Sequence, residues 1–422
     1  MKLKAAVLLL LLGRWAPAAQ AYSVLSHEVV IDLLWADTLQ PLLLQRFPGA
    51  SPDELRRAHA YAYGGSIIQD MGYYPFGNRE FSDLVHYVRS GDFVLALLRD
   101  AADLDEYAFA LGALAHYAAD TEGHPAVNQA VAQEIPELGR RYGPSVTYED
   151  NPKAHIRVEF GFDVTQVAKR RFPSDSYRDL IGFEVSQTLL ERAFRETYGL
   201  ELKTVLKHED LAVGSYRRAV SKVIPMFTRA AVATHRAELV REIPDFNRRK
   251  FIYRMTQAEY RQNWGRNYQR PGLGSRILAL LFRLVPKVGP FRAVDFTTPT
   301  PQTEDLYFRS MNQTAARYRA ELGQLRAGAL PELPNRDFDT GRETRAGEYR
   351  LTDESYARLL HSLAQGRFQT VTPALRANLL DFFADPSALR VTKRDKDKWQ
   401  RTQQELQALK GGHDQPAVGT GH

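Results

Sequence analysis

Six of the eleven histidines fall between His27 and His155, and most of them sit beside an acid or one helical turn from one. The sharpest run is His116-x3-Asp120-x3-His124-Pro125. On a helix, positions four apart share a face, so His116 and Asp120 can reach one metal ion, and Asp120 and His124 can again share a side. Proline disfavours helical geometry in the residue before it, so Pro125 is expected to end the helix and turn His124 toward a different ion. A second pair, His155-x3-Glu159, has the same spacing. One such pair is commonly a surface hydrogen bond, but two with an added histidine form a metal-ligand pattern. Asp70, His86 and His27 are looser candidates. Asp83, one turn before His86, is placed to orient its ring from behind.

The chain has no cysteine. Thiolate nucleophiles, disulfides and cysteine metal sites are thereby excluded, and any zinc must be held by His, Asp and Glu. The formal net charge of +6 falls to +3 when the first 21 residues are set aside, too little to indicate nucleic acid as a partner. Lys2 and Lys4, the apolar run 5–12 and Ala19-Gln20-Ala21 have the pattern of an export signal cleaved after Ala21, which predicts Tyr22 as the mature N-terminus and a periplasmic or secreted protein.

The elements that must position these residues read as helices. Residues 28–37, 52–70, 104–120, 177–197, 208–238 and 303–327 have helical spacing, and period-two alternation is scarce. Ser26 and Thr352 are expected to start helices, and Thr372-Pro373 is a cap followed by proline at the first turn. The fold class is all-α: a catalytic domain over 22–245, a helical extension over 246–410 and a Gly-rich, disordered tail over 411–422.

An aromatic mature N-terminus, His27, Asp70, His86, His116-x3-Asp120, His124-Pro125 and His155-x3-Glu159, in that order, resemble the bacterial zinc-dependent phospholipase C family. The resemblance covers about residues 22–162, with helices in keeping to about 245. It implies a compact all-α domain holding three Zn2+ ions. By position, Asp70, His86, His116 and Asp120 would hold one ion. The amine and carbonyl of Tyr22, with His27 and Asp120, would hold a second, and His124, His155 and Glu159 the third. Asp120 would bridge the first two, and Asp70 or Glu159 would move the proton.

The implied activity is phospholipase C-type hydrolysis of phospholipid head-group esters by a zinc-activated water. The S1/P1 nuclease scaffold is similar but has two residues, not three, after its Asp and ends on Asp. A non-catalytic zinc-binding helical protein is the reading from another class. Two departures stand out: Tyr22 replaces the family's N-terminal Trp, and the residues after 250 read as helices where the toxin members carry a membrane-binding β-sandwich. Phospholipid is the expected partner, with no specific nucleic acid. Residues 276–292 interleave Arg and Lys with apolar residues, a pattern suited to peripheral membrane contact or to a buried helix. Tyr61, Tyr63, Tyr73, Tyr74 and Phe76 suit either a choline pocket or core. His59, His208, His235 and His361 show no partner spacing, and His413 and His422 lie in the tail, so none is assigned a role.

Overall fold

The computed structural model describes residues 24–168, 183–219, 296–385, 388–389 and 396–411. The export signal, Tyr22, the basic segment 276–292, His235 and the tail after Gly411 lie outside them, while Gly411 itself ends a helix. The fold is all-α, with a two-stranded antiparallel ribbon, β1 (Arg336–Asp337) and β2 (Arg342–Glu343), as the strand structure of the described residues. In chain order the helices are α1 (Val24–Leu34), α2 (Gln40–Arg46), α3 (Pro52–Gly65), α4 (Arg79–Tyr87), α5 (Ser90–Asp100), α6 (Leu104–Glu134), α7 (Pro136–Tyr142), α8 (Pro152–Ala168), α9 (Gln187–Tyr198), α10 (Leu202–Val205), α11 (Glu209–Arg218), α12 (Pro301–Arg326), α13 (Arg350–Gln365), α14 (Pro373–Phe382) and α15 (Lys396–Gly411). None of the described helices is long and apolar enough to cross a membrane.

Helix α6 organises the rest. Asp103 caps it by accepting from the Glu106 amide, and its Ala- and Leu-rich middle is buried on all sides. It runs 31 residues to Glu134, so Pro125 does not end it. An interior proline costs about 3 kcal/mol, and here the burial of the turns before it and of Val127, Asn128, Ala130 and Val131 after it offsets that cost, Pro125 itself being half-buried. His116, Asp120 and His124 therefore stay on successive turns of one face. A side chain at Gly112 would collide with the carbonyl of Ala62, and one at Gly65 with the carbonyl of Phe109. These glycines let α3 and α6 touch backbone to backbone. That contact brings the Ser66 carbonyl, at the end of α3, against the His116 ring.

The sequence places several ends differently. The 52–70 helix breaks at Gly65 and resumes as a 3-10 turn, Ile68–Tyr73, because α3 ends where it meets α6. Its start is fixed by a capping box between Ser51 and Glu54. Ser26 lies inside α1, where its hydroxyl donates to Asp163, and Thr352 lies inside α13, donating to Asp337. Both are buried and tied to distant carboxylates, which removes them from capping. Thr372 does cap α14. The C-terminal region lies against the rest: Tyr318 of α12 donates to the Leu111 carbonyl of α6, and Tyr307 hydrogen-bonds Ser26. The apolar core runs without a break from α1 to α15.

Candidate metal centre

Five elements deliver the side chains: α1 gives His27, the 3-10 turn Asp70, α4 His86, α6 His116, Asp120 and His124, and α8 His155 and Glu159. All eight are at most 3 % exposed, far from the norm for ionisable groups. Asp120 is the hub. Its Oδ1 lies 3.5 Å from His27 Nε2, and its Oδ2 lies 3.0 Å from His116, 3.5 Å from His86 and 3.6 Å from His124, each at Nε2. Asp70 Oδ1 stands 3.3 Å from His86 Nε2, and His155 Nδ1 stands 2.7 Å from Glu159 Oε1. The His27 and His116 rings stack at 4.6 Å, and the His124 and His155 rings at 5.4 Å. The ninth candidate, Tyr22, lies outside the described residues.

Backbone and amide groups behind the rings decide which nitrogen faces inward. The Ser82 carbonyl accepts from His86 Nδ1 at 2.8 Å, and the Ser66 carbonyl accepts from His116 Nδ1 at 2.9 Å. Both Nε2 atoms are left as lone-pair donors aimed at Asp70 and Asp120. His155 is held the other way, donating from Nε2 to Asn128 Oδ1 at 2.8 Å and presenting Nδ1. The carbonyl of Ser82, not Asp83, thus orients His86; Asp83 is drawn off into an ion pair with Arg358.

Imidazole lone pairs facing carboxylates at these distances are acceptors facing acceptors, which demands a cation among them, either protons or a metal. With protons alone, burial disfavours an ionised Asp120, yet His116, His124 and His86 outweigh it and hold its pKa well below the usual carboxylate range. Burial likewise opposes a charged His86, but Asp120 and Asp70 prevail and push it up to about 10. Burial raises Asp70, and burial with the neighbouring His116 lowers His27 to about 3. With protons alone the same cluster would favour charge on one imidazole and oppose it on another, and a metal would enter by displacing protons.

The donor set fits zinc: imidazole nitrogen and carboxylate oxygen without sulfur, in three groups whose ligand atoms lie within 4.8 Å of one another. The groups are His27, His116 and Asp120; Asp70, His86 and His116; and His124, His155 and Glu159. His116 borders the first two, but with Nδ1 tied to Ser66 it has one nitrogen to give.

Sequence reasoning missed Asp339. It lies in the turn between β1 and β2, 1 % exposed, with Oδ1 3.5 Å from His124 Nε2. Phe338 beside it packs on the His86, His116 and Tyr117 rings. No spacing ties Asp339 to a histidine, and Asp-Thr-Gly reads only as a turn. His59 also gains a partner that spacing did not give, Asp32 at 3.3 Å, and His361 pairs with Glu405. The five aromatic candidates are split. Tyr61 packs half-buried against the core, Tyr63 donates to Asp32, Tyr74 packs on Tyr216, Phe76 is exposed, and Tyr73 borders His86.

A buried, cysteine-free cluster of histidines and carboxylates inside an all-α fold defines a helical metalloprotein with the donor set of a zinc hydrolase. The zinc dependent phospholipase C family model matches residues 26–207, which supports reading that stretch as a domain of this family with the coarse activity of a zinc-dependent hydrolase. Searches of curated proteins and of solved structures returned no match.

Proposed function

We propose that the chain is an exported phosphodiesterase that hydrolyses phospholipid head-group esters with three zinc ions. One observation carries the reading: three ligand groups converge in one buried cluster, with Asp120 facing four histidines. Asp70, His86, His116 and Asp120 would hold one ion. His27 and Asp120, with the backbone of Tyr22 freed by cleavage after Ala21, would hold the second. His124, His155 and Glu159 would hold the third. When bound, zinc lowers the pKa of a water from about 15.7 to about 7 and supplies positive charge to phosphoryl oxygens.

The protein's own groups do the rest. Asp120, with one oxygen toward His27 and the other toward His86 and His116, would keep two ions side by side for in-line attack. The Ser66 and Ser82 carbonyls would hold two of the ring ligands in the right tautomer. Asp70 or Glu159 would carry the proton between water and leaving alkoxide. The cluster's burial would strengthen each of these interactions. The partner would be a phospholipid met through peripheral membrane contact.

The test sets phosphatidylcholine vesicles against single-stranded DNA. The proposal expects release of phosphocholine, loss of that release on chelation, and recovery on adding zinc. Cleavage of DNA alone would make the chain a nuclease, and inertness toward both, with zinc bound, would make it a binding protein.

A further inference from the structure

We infer that Asp339 is a fourth protein ligand of the ion assigned to His124, His155 and Glu159, so that this ion fastens the C-terminal region onto the hydrolase domain. The inference rests on the metal reading above and extends it to a residue 132 positions beyond the end of the family match. Its first support is aim. Asp339 Oδ1 lies 3.5 Å from His124 Nε2, and neither ring nitrogen of His124 makes a hydrogen bond. The second is how the carboxylate is held. Its Oδ2 accepts from Tyr87 at 2.9 Å and from Tyr349 at 2.5 Å, which fixes the plane and leaves Oδ1 pointing at the cluster. Ligating carboxylates are characteristically braced in this way by outer hydrogen bonds.

The third support is a link to another ligand of the same ion. Asn128 accepts from His155 at Oδ1 and donates from Nδ2 to the Asp339 carbonyl at 2.8 Å, so one amide sets the positions of both. The turn is shaped to arrive there. Gly341 has φ +70°, and a side chain on it would strike the Thr121 carbonyl and Pro125 of α6, one turn and one residue from His124. The Phe338 amide donates to the His86 carbonyl at 3.3 Å, which lays the turn along the cluster.

The third ion would then draw its ligands from both regions, His155 and Glu159 on one side and Asp339 on the other, and would act as a clasp between them.

The experiment measures zinc per chain in the full-length protein, in Asp339→Asn and in Tyr349→Phe. Asparagine keeps the size and an acceptor for the tyrosines but is a far poorer ligand, whereas Tyr349→Phe leaves the carboxylate in place. The inference expects Asp339→Asn to hold one zinc fewer than the parent, and Tyr349→Phe to hold as many. Equal zinc in Asp339→Asn and the parent would overturn it. Should Asp339→Asn not fold, hydrogen exchange of the unaltered protein decides. Zinc should slow exchange of residues 338–341 together with 155–159. Slowing of 155–159 alone would overturn the inference. A parent that binds no zinc at all would instead overturn the metal reading on which it rests.

Discussion

Two buried histidine clusters lie close together in the domain, and they are built to opposite ends. Around Asp120 the carboxylate oxygens face four histidines, and two of the rings, His86 and His116, are anchored from behind so that their lone pairs point inward. Around Asp32 a single carboxylate accepts from the Tyr63 hydroxyl at 2.5 Å and meets His59 at 3.3 Å, while the His59 ring stacks on Trp35 at 3.6 Å. Burial holds His59 well below its ordinary pKa, and its Nε2 meets this one carboxylate. Both clusters contain a buried His–Asp contact of nearly the same length. The distinction between a metal centre and a structural network therefore lies in convergence, in how many lone pairs are aimed at one point and what holds them there.

Replacing the hub should have the largest effect. Asp120→Asn keeps the volume but removes the charge that two cations would share, and it should lower hydrolysis by more than about a thousandfold. It should also cost zinc, measured by metal analysis on a sample whose helical content is unchanged. Placing one alanine before Tyr22 in the processed protein should cost about one zinc and most of the activity, because an amide nitrogen replaces a free amine of pKa about 8. Equal zinc and turnover in the two forms would remove Tyr22 from the ligand set.

Asn128→Ala works one layer out. It should weaken zinc binding by about 10- to 100-fold, since His155 loses the acceptor that fixes its tautomer. The contrasting cluster predicts a different phenotype. His59→Ala should lower stability by about 3 kcal/mol, the cost of deleting a buried ring, while leaving zinc content unchanged. Zinc loss in that variant would erase the distinction between the clusters. The smallest effect belongs to a site remote from both: Ser51→Ala breaks the α3 capping box and should cost about 1 kcal/mol by thermal unfolding, with activity intact.

The sequence exposes the parts of this centre that are local. His116, Asp120, His155 and Glu159 announce themselves because helix geometry turns a four-residue spacing into a shared face. The all-α class followed from the same periodicity. What spacing could not give is contact between distant segments. The carbonyls of Ser66 and Ser82 have no side-chain signature, since the backbone supplies the acceptor. Asp339 sits in a turn, and its backbone meets Asn128 across 211 residues of chain. Pro125 misled for a related reason. The local rule for proline is sound, but the packing around α6 outweighs its cost of about 3 kcal/mol. His59 was passed over because its partner, Asp32, lies on another helix.

The central claim is that the Asp120 cluster is a zinc centre rather than a proton-bound network. The most direct measurement is the metal content of the full, processed protein, alone and after incubation with zinc. The account predicts three zinc ions per chain, removed by chelation with a fall in thermal stability and restored on adding zinc. A correctly folded sample holding less than one metal ion per chain, unmoved by added zinc, would contradict it.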